Sequence, residues 1–424
     1  MSEAPRKVQT TYLTLLFFNT AAASLIWGIN TLFLLDAGLS NTEAFAANAF
    51  FTAGFMLFEI PTGGIADLRG RRLSYLLGVI TLVISTLLYL VMWRVSAPFW
   101  AWAAASMFLG LGFTFFSGAV QAWLVDALTY SGLKERLESV LAKGEIVEGS
   151  AMLAGSVAGG LIAQQTNLGV PYIIRAMLLV LNFVLAFILM KDLGFKPAHG
   201  KHPIKEVKVI LLNSIQYGLR NPPVRWIMLA APFTGGVTMY AFYAMQPYLL
   251  ELYGDEKAFG IAGLAAAIVA GAQIIGGLLV PYLGRVFQRR TSVLIACDAL
   301  STLILLVVGF VPNFWIAISL LILWGLMFSA AMPVRQTYLN ALIPSEQRAT
   351  VLSFDSLFGS TGGVVIQPIL GKTADVWGYP VSYIFSSVFQ ALSLPFTWLA
   401  HREKVSADAI GSETNAGTSE LSES

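Results

Sequence analysis

The chain has 424 residues, of which 56% are hydrophobic and only 12% are charged. Because soluble globular domains carry about 25% charged residues, this composition excludes an ordinary soluble protein and predicts a membrane protein with many spans. The formal net charge of +2 is too small to indicate nucleic-acid binding. The histidines lie outside the apolar runs, so we expect no metal site in the membrane.

Apolar runs long enough for a helical crossing, which needs about 20 residues, recur along the whole chain. In chain order they lie at about 12–35, 44–66, 73–93, 98–126, 140–164, 171–190, 224–250, 259–283, 292–311, 314–342, 350–373 and 380–400. The sequence therefore predicts an all-α membrane protein with twelve transmembrane helices. Shifting the first half by 212 places Arg136–Gly159 on Arg348–Gly371 without gaps, which indicates two pseudo-symmetric six-helix bundles, a transporter architecture.

A polar break in the middle of the chain sets the predicted domain boundaries. We expect an N-terminal six-helix bundle at 1–190 and a C-terminal six-helix bundle at 224–401. The connecting loop at 191–223 contains the segment IKEVKVILLNSIQYGLRNPP, whose periodicity predicts an amphipathic surface helix. The tail at 402–424 is small, polar and acidic, which is typical of disorder.

The distribution of basic residues predicts the orientation in the membrane. If the N-terminus is cytoplasmic, most Lys and Arg residues fall on the cytoplasmic side, as the positive-inside rule requires. Only Arg94, Arg175, Lys257 and Lys372 then lie in outside connections, and Arg335 lies within a span. We therefore expect a protein of the inner membrane with both termini and the central loop in the cytoplasm.

The segment GGIADLRGRR (63–72) concentrates charge between spans 2 and 3. It matches a spacing of glycine, aspartate, glycine and two basic residues, which here are Gly63, Asp67, Gly70, Arg71 and Arg72. With FEIPTG before it, AWLVD in span 4 and YLNALIPSEQRATVLS across spans 10 and 11, the chain resembles the major facilitator superfamily over nearly its whole length. Leu68 stands where that family usually has a basic residue.

The resemblance implies a conformational latch at this bend. Asp67 would cap the N-terminus of span 11, while Arg71 or Arg72 would pair with Asp126 on span 4. The latch would close when the cavity opens outward and break when it opens inward. The alternative is that the arginines only enforce topology and bind lipid headgroups.

The second half of the chain departs from this pattern. By the internal repeat, Arg285 corresponds to Asp67 and Asn340 corresponds to Asp126, so both acids are missing together. The sequence therefore predicts an asymmetric latch that is strong in the first half and weak in the second.

Ionisable residues within membrane spans cost about 2.5–3.5 kcal/mol each on insertion scales, so each one needs a reason. Glu148 in span 5 is our candidate for proton coupling, because a low-dielectric environment favours the neutral, protonated form of a glutamate. The alternatives for Glu148 are a permanent ion pair or a solvated cavity wall. Glu59, which precedes Pro61 in span 2, is a second candidate with a gating or helix-end role.

Other polar residues in the spans are candidates for the central cavity and the substrate. They are Asn19, Asn30, Gln246, Arg335 and Gln336. Arg335 either binds an anionic substrate or balances an acid such as Asp355 or Glu148.

The glycines of GSVAGG (155–160) favour close helix packing at Gly155, Gly159 and Gly160. The segment also resembles the antiporter signature of span 5, although Ser156 replaces its proline.

No ATPase motif and no catalytic constellation is present in the sequence, so we expect a secondary transporter and not an enzyme. The favoured function is export of a small hydrophobic or amphipathic compound, driven by a proton gradient without a cofactor. Its partners would be the substrate, protons and membrane lipids, and we expect a monomer. The first alternative is a proton-coupled importer of a polar or anionic metabolite. The second is a non-transporting sensor or scaffold.

Overall fold

The structure is a computed structural model that describes residues 3–132, 137–197, 214–345 and 347–410. Within these ranges the regular elements are helices, and the one extended pairing is an isolated bridge between Arg289 and Ala409. The predicted all-α fold is confirmed. Much of the predicted amphipathic helix, at 198–213, and the tail from 411 onwards lie outside the described residues.

The helices of the first half follow the predicted runs closely. They are α1 Glu3–Trp27, α2 Asn30–Asp36, α3 Asn41–Arg69, α4 Arg71–Val95, α5 Phe99–Thr114, α6 Ala119–Tyr130, α7 Leu137–Gln165 and α8 Gly169–Leu189. After a short π-helical turn at Ser214–Leu219, the second half contains α9 Pro222–Tyr253, α10 Phe259–Gly276, α11 Val280–Val286, α12 Arg290–Phe310, α13 Phe314–Leu342, α14 Arg348–Ala391 and α15 Ser393–Arg402.

Ten helical stretches of the described residues are long and apolar enough to cross a membrane. The helices α1 and α2 pass this test together as a pair bent by 50°. The stretch Thr350–Arg402 has 53 residues, about twice what one crossing needs, and Gly378 interrupts it with a non-helical φ of 81° and ψ of 169°. Taking the bent pair as one span and the long stretch as two gives the predicted number of crossings. The chain is an integral membrane protein.

Local sequence signals explain where several helices begin. Ser40 and Glu43 form a capping box at the start of α3, in which each side chain accepts from the other residue's backbone N–H. Asn313 caps α13 by accepting from the N–H of Ile316. Gly70 separates α3 from α4 with a φ of 107°, which favours glycine because other residues rarely adopt positive φ.

The chain forms two compact units. Unit 1 comprises Met1–Lys208, Met239–Ile268 and Gly363–Tyr379, and unit 2 comprises Val209–Thr238, Val269–Gly362 and Pro380–Ser424. Unit 1 therefore contains the whole first half together with segments of α9, α10 and α14. The predicted four-part division of the chain stays a prediction.

Unit 1 has an aromatic core at one end. The buried Phe33 ring stacks on Tyr172 with centroids 4.0 Å apart and contacts Tyr89, Trp93 and Trp102. Aromatic rings bury large apolar areas and prefer offset or edge contacts such as these. This cluster fixes α2, α4, α5 and α8 relative to one another.

In unit 2 the last described residues, 406–410, pack against the start of α12. The buried Asp408 accepts from the backbone N–H of Thr291 at 2.8 Å, and Arg290 donates to the carbonyls of Ala407 and Ala409. An aspartate at a helix N-terminus satisfies free N–H groups and meets the positive end of the helix dipole. The prediction of disorder is therefore wrong for 402–410, because this cap orders the segment.

Candidate functional site

A cavity of about 400 Å³ lies inside unit 1. Aromatic side chains supply much of its wall, namely Trp27, Phe51, Tyr89, Phe113 and Tyr243. A mostly apolar wall with a few placed polar groups, at this volume, is typical of small-molecule sites. The polar groups of this unit 1 cavity include three of the predicted residues, Asn19, Asn30 and Glu148.

The break between α1 and α2 shapes one side of the cavity and is supported by Gln246. The side chain of Gln246 donates to the carbonyl of Trp27 at 2.9 Å and accepts from the N–H of Thr31 at 3.0 Å. Both backbone groups lose their helical partners at the break, so the amide replaces those bonds. Gln246 is fully buried in this role and is not among the residues that line the unit 1 cavity, so its place in a central cavity stays a prediction.

Arg175 is a cavity residue that the sequence did not identify. It lies within α8 and is only 2% exposed, so its predicted place in an outside connection is wrong. Its Nε donates to Thr86 Oγ1 at 3.1 Å, and its Nη1 donates to the carbonyl of Ala22 at 3.0 Å. Its Nη2 is buried without a hydrogen-bond partner, and no carboxylate of the described residues pairs with it.

A chain of hydrogen bonds orients the asparagines of the cavity. Tyr172 donates to Asn30 Oδ1 at 3.0 Å, and Asn30 Nδ2 donates to Asn48 Oδ1 at 3.0 Å. The other amide atom of Asn48, Nδ2, is buried and has no hydrogen-bond partner among the described residues. The Oδ1 atom of Asn19 is buried and unpartnered in the same way. The cavity thus contains unsatisfied donors and an unsatisfied acceptor.

The two predicted proton-coupling residues lie in different surroundings. Glu148 lines the cavity and is exposed, so it forms part of a solvated wall, and no ion pair to a described residue holds it. Glu59 is half-buried near the end of α3, where it accepts from Ser117 Oγ at 3.2 Å.

The predicted packing glycines lie at close helix contacts. A Cβ on Gly155 would collide with Ser24, and a Cβ on Gly159 would collide with the carbonyl of Leu25, so both allow α7 to approach α1. A Cβ on Gly160 would lie 2.5 Å from the carbonyl of Phe259. Only glycine permits these approaches without a shift of the backbone.

The charged bend is arranged differently from the predicted latch. Arg71 pairs with Asp67, four residues before it, and forms no ion pair with Asp126. Arg72 donates to the carbonyl of Phe187 at 2.6 Å. The expected pairs with Asp126 are therefore absent from the described part of the chain, because Arg71 and Arg72 already have nearer acceptors.

Asp192 is a residue of this bend that the sequence did not identify. Its Oδ1 accepts from the backbone N–H of Arg72 at 2.8 Å. Its Oδ2 lies so close to Gly70 that a Cβ on that residue would collide with it. A carboxylate here satisfies a free N–H at the start of α4. No spacing signal connects Asp192 with Gly70, since α4 to α8 separate them in the chain. At Gly63 a Cβ would meet nothing within 4 Å.

Unit 2 holds the other predicted arginine in a different setting. Arg335 donates through Nη1 and Nη2 to both carboxylate oxygens of Asp355, each at 2.7 Å, and also reaches the carbonyl of Ile227 at 3.4 Å. Its side chain is 18% exposed and that of Asp355 is 7% exposed. Of the two roles considered for Arg335, the one seen in the structure is the pairing with an acid, Asp355. Gln336, one residue further, is exposed.

Arg335 also lines a small cavity of about 50 Å³ in unit 2, together with the half-buried Asp298. Asp298 accepts from Ser393 Oγ at 3.0 Å and from Gln390 Nε2 at 3.4 Å. The sequence analysis missed Asp298, although an acid within an apolar run is the signal that could have found it.

A third missed acid, Asp375, lies in the segment of α14 that belongs to unit 1. It accepts from the backbone N–H groups of Asn41 and Thr42, each at 2.8 Å, and so caps α3. Tyr379 donates to the side chain of Asn41. These bonds fasten the end of α3 to a helix from the second half of the chain.

Comparison with known proteins agrees with this helical architecture. The sequence model described as Major Facilitator Superfamily matches residues 12–288 and, in a second match, 255–422. The multidrug resistance protein MdtG of Escherichia fergusonii is 24% identical over 410 residues, which are 93% of this chain and 94% of that protein. MdtG of Salmonella choleraesuis is 26% identical over 387 residues, which are 88% of each chain.

Solved structures with the same architecture are far more distant in sequence. The nucleoside transporter NupG superposes with a TM-score of 0.74 at 10% identity, over 93% of this chain and 98% of that one. A bacterial homolog to the human lysosomal transporter Spinster, in an inward-facing and unoccupied conformation, gives a TM-score of 0.70 at 16% identity, over 96% of this chain and 99% of that one. At these identities the likeness is one of fold.

Proposed function

This chain belongs to the major facilitator superfamily, and we propose that it is a proton-coupled exporter of small amphipathic compounds. It works by alternating access in the inner membrane, with both termini in the cytoplasm. The proton gradient supplies the energy, no cofactor takes part, and the chain acts as a monomer among membrane lipids.

The unit 1 cavity is the observation that carries this proposal. Its volume of about 400 Å³ suits a drug-sized molecule, and its aromatic wall suits an apolar body. Relatives that cover nearly the whole chain are multidrug resistance proteins, which supports export over import. Met152 adds an adaptable wall, which a site for several related compounds requires.

Glu148 is the proposed site of proton coupling. It lines the cavity beside the substrate and is exposed, so it exchanges protons with whichever side the cavity faces. The bend residues Asp67, Arg71 and Arg72 are the proposed latch that distinguishes the two access states. In the structure Asp67 pairs with Arg71. In the proposed latch, these two side chains change partners when the protein changes between its two access states.

A transport assay with the purified full-length chain in proteoliposomes tests the function. The probes are the cation ethidium, the neutral dye Nile red and the anion 1-naphthoate. A protein that exchanges protons for the probe takes up the probe into vesicles with an acidic lumen, because protons leave as the probe enters. We expect this uptake to exceed that of empty liposomes. Absence of uptake above that level for all three probes would contradict the proposal.

The Glu148→Gln variant tests the coupling site. We expect it to lose the dependence of uptake on the pH gradient while still exchanging labelled for unlabelled probe. An unchanged gradient dependence would remove Glu148 from the mechanism.

Import of a polar or anionic metabolite remains a second candidate, because the cavity has unsatisfied polar groups at Asn19, Asn48 and Arg175. The same vesicles separate the two directions of coupling. Uptake into vesicles with an alkaline lumen, and none into those with an acidic lumen, would establish symport and hence import.

A further inference from the structure

The geometry points to Arg175 as the anchor for an anionic group, so that the preferred ligands of the unit 1 cavity are small organic monoanions with an aromatic or aliphatic body. This inference rests on the proposed function and names the substrate class of its site. It assigns to Arg175 the anion-binding role that the sequence analysis considered as one of two alternatives for Arg335.

The charge of Arg175 is the first step. The side chain is 2% exposed, and the groups it contacts, Thr86 Oγ1 and the carbonyl of Ala22, are neutral. No carboxylate of the described residues lies within ion-pairing distance. Burying a charge without a counter-charge is expensive, and buried charges are normally paired. An anionic ligand supplies the missing charge when the site is occupied.

The second step is the set of hydrogen-bonding groups without a partner among the described residues, on side chains that line the cavity. Arg175 lines the cavity and its Nη2 has no partner among the described residues. Asn48 also lines the cavity and has a second buried donor without a partner among these residues, Nδ2. Its amide is held in place because its Oδ1 accepts from Asn30, which in turn accepts from Tyr172. Two donors in one cavity match the two oxygens of a carboxylate, and a guanidinium is the side chain best suited to bind it.

The rest of the wall sets the size and character of the ligand. Trp27, Phe51, Phe113 and Tyr243 offer ring faces and edges to an apolar body. Among the described residues that line the cavity, the one carboxylate is that of Glu148, which is exposed. A positive group on a ligand would therefore be placed at Glu148, whereas an anionic group is placed at Arg175.

The matched probes are 1-naphthoate, 1-naphthamide and 1-naphthylmethylamine, which share one ring system and differ in charge. Their affinities for the purified full-length protein in detergent are measured by isothermal titration calorimetry. We expect 1-naphthoate to bind at least tenfold more tightly than the amide, and the amine to bind least. Equal affinities for the three probes, or no binding of 1-naphthoate, would overturn the inference.

Substitutions identify Arg175 as the group responsible. We expect Arg175→Gln to weaken 1-naphthoate at least tenfold and to leave 1-naphthamide unchanged, while Arg175→Lys restores part of the anion affinity. The matched control is the double variant Arg335→Gln with Asp355→Asn, which removes the paired charges of unit 2 and leaves 1-naphthoate binding intact. Unchanged 1-naphthoate binding in Arg175→Gln would refute the assignment.

Stability separates binding from a structural role. Arg175→Gln removes an unpaired buried charge, so we expect its Tm to equal or exceed that of the wild type, whereas a structural arginine would lower Tm when replaced. A lower Tm together with loss of binding of all three probes would contradict the inference.

If ethidium is transported and 1-naphthoate does not bind, the inference fails and the proposed function stands. If 1-naphthoate binds through Arg175 and no probe moves, the proposed function fails and the site stands.

Discussion

Each unit has an arginine within a helix that lines a cavity, Arg175 in unit 1 and Arg335 in unit 2, and the two differ in what neutralises them. Arg335 in unit 2 makes a bidentate pair with Asp355, with both N–O distances at 2.7 Å. Arg175 in unit 1 contacts only neutral oxygens and keeps one Nη without a partner among the described residues. The comparison shows that an arginine within a span is available to a ligand only if no acid of the protein already holds it.

The same comparison bears on the two roles that the sequence left open for Arg335. One was to bind an anionic substrate, and the other was to balance an acid such as Asp355 or Glu148. Asp355 is one of the acids named to balance it, and the structure forms that pair. Arg175, which the positive-inside rule had placed in an outside connection, is instead the arginine without a carboxylate partner among the described residues.

The largest effect is expected from breaking the paired arginine. Asp355→Asn removes the bidentate partner of Arg335 and leaves Asp298 as an acid that lines the same cavity. Removing one partner of a fully buried pair costs about 3–5 kcal/mol, which sets the upper bound for this partly exposed pair. We expect a marked fall in Tm by thermal unfolding in detergent. The double variant Arg335→Gln with Asp355→Asn should recover much of that loss, and a fall equal to that of the single variant would contradict the reasoning.

The second effect comes from giving Arg175 the partner that it lacks. Thr86 Oγ1 accepts from Arg175 Nε at 3.1 Å, and aspartate is close to threonine in size, so Thr86→Asp places a carboxylate beside the guanidinium. We expect 1-naphthoate binding, measured by calorimetry, to weaken at least tenfold because the charge is now paired. Thr86→Val is the matched control and should keep the anion affinity within about threefold, a bound set by the modest worth of one neutral hydrogen bond.

A smaller effect is expected from closing the distance between α1 and α7. Gly159→Ala places a methyl group against the carbonyl of Leu25, and overpacking of this kind costs about 1–3 kcal/mol. We expect a moderately lower Tm. Gly63→Ala is the control, since a Cβ there meets nothing within 4 Å, and it should leave Tm unchanged.

The smallest effect on stability, but a clear one on transport, is expected at the charged bend. Asp67→Asn removes the partner of Arg71, which is partly exposed, and exposed pairs contribute at most about 1 kcal/mol. Transport in proteoliposomes should nevertheless fall strongly if the bend is the latch. Arg285→Ala, at the corresponding place in the second half, should be mild, and equal damage from both would contradict the asymmetry.

The fold followed from the sequence because its signals are local. The length of an apolar run and the glycine at position 70 are properties of one or two neighbouring helices. The number of helical crossings could therefore be predicted from the sequence. The long stretch Thr350–Arg402, for example, contains the last two predicted runs with Gly378 between them.

The candidate site was only partly predictable because its chemistry depends on which helices pack together. Asn19, Asn30 and Glu148 were found from their polarity within apolar runs. The state of Arg175 depends on which groups of α1 and α4 lie beside it, because it contacts the hydroxyl of Thr86 and the carbonyl of Ala22 and pairs with no carboxylate of the described residues. The position of Gln246 depends on the break between α1 and α2. In both cases the neighbours come from distant parts of the chain, so the local sequence around Arg175 and Gln246 does not predict them.

The most direct test of the central claim is proton-driven uptake of 1-naphthoate into proteoliposomes with an acidic lumen. We predict uptake above empty liposomes for the wild type and for the double variant Arg335→Gln with Asp355→Asn, if the latter folds with the recovered Tm. Arg175→Gln should show none while it still moves Nile red. Equal uptake of 1-naphthoate by the wild type and Arg175→Gln would contradict the account.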